Sequence, residues 1–149
     1  MTTEKAVQEG IQTVVAALSE FLSGDVTIND DAYLDSPLVA SPFLNILNAD
    51  SFTSRNDTQT ATGVYDIPVI LYQDFVDWKT SLNAFRDTRQ AIITTFTAVG
   101  TARSAGGLDG VDINEIRGDG PITGVSYDDE GRTLPVYLMQ SIIFHVELY

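Results

Sequence analysis

The chain has 149 residues, 44% of them hydrophobic, enough for one domain around one core. It contains no cysteine, which excludes disulfides, thiolate nucleophiles and cysteine-based metal sites. A formal net charge of −13, from 21 acidic and 8 basic residues, disfavours general binding to phosphate backbones and to anionic membrane surfaces.

The first predicted element is a helix over Glu4 to Ser23, because Val7, Ile11, Val14, Val15, Leu18, Phe21 and Leu22 recur at helical spacing. Thr2 or Thr3 can cap it, Glu4 suits its positive end, and Gly24 suits its stop. Gly10 inside it costs about 1 kcal/mol against alanine, which is consistent with a close packing contact. Val26-Thr27-Ile28 reads as a short strand, with turns at Asp30-Asp31 and Asp35-Ser36-Pro37. Phe43 to Ala49 reads as a second strand.

Asp50 to Thr62 is polar and is expected to be a long, mobile hairpin loop. Gly63 to Gln73 follows as a strand, and Pro68 within it predicts an edge or a bulge, since proline cannot donate to a ladder. Asp74 or Asp77 opens a second helix reaching about Ala98, with Trp78, Leu82, Phe85, Ile92, Ile93 and Phe96 on its buried face. Thr101 to Gly110 is expected to be a second flexible loop. Val111 to Ile116, Pro121 to Tyr127 and Thr133 to Leu148 are three further strands, the last two joined by a turn over Asp128 to Arg132. The final strand alternates Leu138, Gln140, Ile142, Phe144 and Val146 against Tyr137, Met139, Ser141, Ile143, His145 and Glu147, so it either sits centrally in a sheet or extends into a neighbour. The order of elements predicts a single α+β domain over 1–149, with a mainly antiparallel sheet and both helices on one face.

No run of about 18 apolar residues occurs, so no membrane span is expected. Met1-Thr2-Thr3-Glu4-Lys5 lacks the basic-then-apolar order of a secretory signal, and none is expected. The acidity fits three readings: salt-adapted solubility, a surface that DNA passes without adhering, or an ordinary acidic protein.

Few residues invite chemistry. His145 is the only histidine; a general base needs a nucleophile and an orienting group, which its spacing does not supply, so it reads as structural. Asp109, Asp112, Asn114, Glu115 and Asp119 lie near glycines, but their spacing fails the calcium-loop pattern. Gly106-Gly107-Leu108-Asp109-Gly110 precedes a strand, and no lysine follows it as a phosphate loop requires. No catalytic residue, metal or cofactor is therefore expected, and the chain does not read as an enzyme. Asp112, Glu115 and His145 would be the best candidates of an enzymatic alternative. Lys79, Arg86 and Arg89 form the one basic grouping, either a solvated helix face or a contact with the acidic surface of an identical neighbour.

The N-terminal helix, the strand Val64 to Tyr72 with the helix after it, the stretch Gly118-Asp119-Gly120-Pro121-Ile122-Thr123-Gly124-Val125 and the closing Leu134 to Glu147 together give a layout that resembles the tail terminator (tail completion) proteins of long-tailed bacteriophages. The resemblance covers most of the chain and rests on element order and length. It implies a virion protein of the phage neck, assembled in the host cytoplasm, whose homo-hexameric ring ends the tail tube. Its partners would be the tail-tube protein and a head-completion or neck protein, with DNA passing through unbound. The loops would order on assembly. Subunit contacts are expected at Arg55 and Asp57, at Lys79, Arg86 and Arg89, at Arg103 and Leu108, and at Asp128 and Asp129. A head-completion or adaptor protein, or an unrelated small binding module, is the alternative.

Overall fold

The computed structural model describes residues 4–29, 41–48, 51–54, 63–97, 106–108, 110–125 and 135–148. In chain order they form α1 (Glu4–Ala16), a short 3-10 turn (Ser19–Phe21), β1 (Asp25–Ile28), β2 (Phe43–Ile46), β3 (Ser51–Ser54), β4 (Gly63–Asp74), α2 (Trp78–Thr97), β5 (Val111–Val125) and β6 (Tyr137–Leu148). The strands make one six-stranded sheet in the order β1-β2-β4-β6-β5, with β3 also paired to β4. Only β1 with β2 is parallel; every other pairing is antiparallel. The fold is α+β, as the element order predicts.

One face of the sheet carries the main core. Leu44 and Ile46 of β2, Ile67, Val69 and Leu71 of β4, and Leu138, Ile142, Phe144 and Val146 of β6 meet Val7, Ile11, Val14 and Val15 of α1 and Phe85, Ile92 and Phe96 of α2. Both helices therefore lie on this face. Each fully buried side chain of this size contributes about 1.5–3 kcal/mol. Phe96 meets Phe144 edge to face, with ring centroids 5.3 Å apart, which sets α2 against β6.

α1 ends earlier than its apolar spacing predicts. After Ala16 the chain makes i→i+3 bonds, Leu18 N to Val15 O and Phe21 N to Leu18 O, both 3.0 Å. The tighter path buries Phe21 and leaves Leu22 87% exposed, so Leu22 does not belong to the buried stripe. Gly10 explains itself by contact: a Cβ there would lie 2.5 Å from Leu108 Cδ2 and 2.6 Å from the Gly106 carbonyl oxygen.

Three strand expectations change. The polar stretch expected as one loop from Asp50 contains β3, which pairs Ser51↔Asp66 through Ser54↔Gly63; main-chain bonding to β4 needs no apolar side chain. Residues 55–62 of that stretch lie outside the described residues. The two strands expected between Val111 and Tyr127 are one, β5, carried through by two register shifts. The first inserts Asn114 between Ile113 and Glu115; this bulge is why Val111, Ile113 and Ile116 can share the core face despite their uneven spacing. The second lies between Asp119 and Thr123, where Gly120 has φ +86°. Pro68, thirdly, is not at an outer edge, and its pairing to β6 is unbroken, but on its other side the register shifts by two residues between Ile46↔Val69 and Ser51↔Asp66, the kind of irregularity the proline predicts. It sits in the central strand β4, where β2 has ended at Ile46 and β3 has not begun at Ser51.

β6 is central, between β4 and β5. The turns expected at Asp30-Asp31, Asp35 to Pro37 and Asp128 to Arg132 lie outside the described residues.

Candidate functional site

The face of the sheet turned away from the helices is divided in two. At one end Phe43, Tyr72 and Tyr137 form a small second core, with rings edge to face at 5.7 and 5.4 Å and with Ile70, Val125, Val136 and Met139 packed beside them. The other end is ionic. Asp66 of β4 stands opposite His145 of β6, and Glu115 of β5 stands opposite His145 on the other side. Asp112 is the register partner of Glu147.

His145 Nδ1 lies 2.7 Å from Asp66 Oδ1, and Nε2 lies 3.5 Å from Glu147 Oε1. The hydrogen bond to Asp66 raises the imidazole above its ordinary value of 6.5; partial burial opposes this, and the Asp66 charge and the Glu147 contact add to it. With a carboxylate at each nitrogen, the ring is tuned to keep its proton and to tie β4 to β6. Arg117 adds an ion pair to Glu115 at 3.4 Å on the same strand. Among the described residues, no group of three or more His, Asp or Glu side chains is arranged to hold a metal ion.

On the helix side, α2 begins at a defined cap. Asp77 Oδ1 accepts the Thr80 N–H at 2.8 Å and Oδ2 accepts the Thr80 hydroxyl at 2.9 Å, which identifies Asp77, not Asp74, as the opening residue. These bonds hold the Asp77 carboxyl below its ordinary value. Arg89 is turned inward: its Nη1 donates to Gln140 Oε1 at 2.7 Å, and Gln140 Nε2 donates to the Gly120 carbonyl at 2.9 Å. This relay ties α2 to β6 and to the second irregularity of β5.

The two outer edges of the sheet are finished differently. On β1 the Val26 N–H bonds Asp25 Oδ1 at 2.9 Å, and the Val26 carbonyl accepts Gln12 Nε2 at 2.8 Å. That edge is capped by side chains. β5, fifteen residues long, pairs only with β6 among the described residues. Its residues from Glu115 to Gly124 are mostly exposed.

Of the residues expected at subunit contacts, Lys79 and Arg86 are exposed on α2. Arg89 is committed to Gln140, within its own chain. Leu108 is a correction: it is 2% exposed and packs in the core against α1, so its side chain is not offered to a neighbour. Arg55, Asp57, Arg103, Asp128 and Asp129 lie outside the described residues. Asp66, Gln8 and Gln12 belong to none of the motifs in the sequence. A signal existed for each: a lone carboxylate in the apolar strand Val64 to Tyr72, and glutamines four apart beside the apolar stripe of α1. No protein-family model matches the chain, and no curated protein is found to match it.

Proposed function

We propose that the protein is a structural subunit of a phage neck, a tail terminator that closes into a ring, ends the tail tube and joins it to the head. The observation that carries the reading is the unequal finish of the sheet. A ring of identical subunits needs a heterologous contact, two different surfaces of one chain that meet head to tail. Among the described residues, β1 has a capped edge and β5 pairs with no strand beyond β6, which gives the chain two such unlike sides. The irregularities in β5 limit unspecific strand pairing at the open side.

The element order supports the same reading, because helix, short strands, long strand, helix and closing strand pair follow one another as the resemblance implies. The charge of −13 suits a channel wall past which DNA slides, since like charges do not adhere. On this reading the ring is a hexamer, its partners are the tail-tube protein and a head-completion protein, and its location is the virion.

Electron microscopy of tail tubes incubated with the purified protein tests it. The expected result is a ring at one end of each tube and an arrest of tube growth. Tubes that continue to grow with bare ends would overturn the assignment. Capture of a portal protein in preference to tube protein would move the chain to the head-completion class.

A further inference from the structure

The buried residues Ser81, Phe85, Thr88, Ile92 and Phe96 define the inward side of α2. At about 100° per residue, Lys79 and Arg86 then fall on one flank of the helix and Asp87 and Ala91 on the other. The second flank borders a groove of about 620 Å³ between α2 and the 3-10 turn that follows α1, lined by Leu18 and Glu20 on one side and Asp87, Ala91 and Thr94 on the other. Its rim is acidic, through the exposed Glu20 and Asp87, and part of its lining is aliphatic. The first flank is the reverse: two exposed cations, with Trp78 at 48% exposure next to Lys79. Among the described residues, neither Lys79 nor Arg86 has an ion-pair partner.

We propose that the groove between α2 and the turn after α1 receives the Lys79–Arg86 flank of a second copy of this chain. The proposal rests on the self-assembly reading above and adds to it a contact on the helix side of the sheet. Two anions stand on the groove and two cations on the flank, so the surfaces match in number and sign. Asp87 lies about 80–100° around α2 from Lys79 and Arg86, and among the described residues no ion pair joins the two groups within the chain, which leaves the match to be made between copies. Each copy then offers one surface and accepts on the other, which continues head to tail until the ring closes. Exposed ion pairs add little affinity; here they set partner and register, while Trp78 supplies an apolar anchor of the kind that dominates contact energies.

Two double variants test the pairing: Lys79→Glu with Arg86→Glu, and Glu20→Lys with Asp87→Lys. Circular dichroism establishes that each is folded, and sedimentation velocity reads the assembly. Each variant alone places like charges on both surfaces, and self-association should weaken by about tenfold or more. An equimolar mixture restores opposite charges at every junction and should regain assembly as alternating rings. Trp78 is the only tryptophan, so its emission should shift to the blue when the wild type or the mixture assembles and stay unshifted in either variant alone. A wild type that assembles while both variants assemble equally well overturns this contact and leaves self-assembly standing. Folded variants that dissociate but do not recover on mixing overturn the pairing of these two surfaces. A wild type that stays monomeric overturns the contact and the ring together.

Discussion

The Gln8 side chain supplies the hydrogen bond that Pro68 lacks. Leu47 N donates to the Pro68 carbonyl at 2.9 Å. In a regular antiparallel pair residue 68 would return a bond to the Leu47 carbonyl, but proline has no N–H. Gln8 Nε2 reaches that carbonyl from α1 at 2.7 Å instead. A proline is thereby tolerated in a central strand, and α1 is locked to the sheet at the point where β2 gives way to β3.

Gln8→Leu should accordingly destabilise the fold by about 1–3 kcal/mol, the cost of a part-buried carbonyl left without its donor. Pro68→Val restores a backbone donor, so the same Gln8→Leu change should cost less in that background. Urea unfolding of the four proteins in the double-mutant cycle measures the coupling. Equal costs in both backgrounds would show that Gln8 does not replace the proline's missing donor.

A second prediction concerns pH. His145 is raised in the folded chain, first by its hydrogen bond to Asp66. A raised folded value means that the contribution is fully present below about pH 6.5, the unfolded value, and is lost as pH climbs through the folded value. Stability should therefore decline above neutrality more steeply in the wild type than in Asp66→Asn. NMR titration of the one histidine should give a midpoint above 6.5 that falls in that variant. An unchanged midpoint would contradict the cross-strand tie.

The cap of α2 behaves in the opposite sense. Asp77 is lowered by its bonds to Thr80, so its contribution is present above the unfolded carboxyl value and disappears as pH falls through the folded one. Asp77→Ala should lower the melting temperature at neutral pH, and Asp77→Ser should recover most of the loss, because serine also caps. Thermal melts of the three proteins at neutral and acid pH check both statements.

Gly10 sets two effects against each other. Alanine would gain about 1 kcal/mol of helix propensity, yet its Cβ would meet Leu108 Cδ2 at 2.5 Å and the Gly106 carbonyl oxygen at 2.6 Å. Leu108 can yield a little; a backbone oxygen yields less. Gly10→Ala should therefore be destabilising in spite of propensity, and Gly10→Val more so. A stabilised alanine variant would mean that the segment around Leu108 moves aside at little cost.

Much of the architecture is legible in the residues. The two faces of β6 follow from strict alternation between Tyr137 and Glu147, and Phe85, Ile92 and Phe96 mark the buried side of α2, whereas Trp78, expected on that side, is 48% exposed and Leu82 and Ile93 are only partly buried. What periodicity misses is where the backbone bonds are made by other means. β3 is invisible to it because Ser51 to Ser54 join the sheet through main-chain bonds. β5 looks like two strands because bulges interrupt its alternation. The early end of α1 depends on Phe21 tucking into the core, a tertiary contact that local spacing cannot distinguish from two more helical turns. At the ionic end of the sheet, His145 is conspicuous alone, while Asp66 lies 79 positions away and becomes its partner only through the β4–β6 register.

Molar mass by light scattering on the purified chain tests the central claim most directly. Self-assembly into a terminator ring predicts a species at six times the 16.2 kDa chain mass, growing with concentration at the expense of smaller forms. A constant 16.2 kDa at every concentration, with and without tail tubes present, would contradict it.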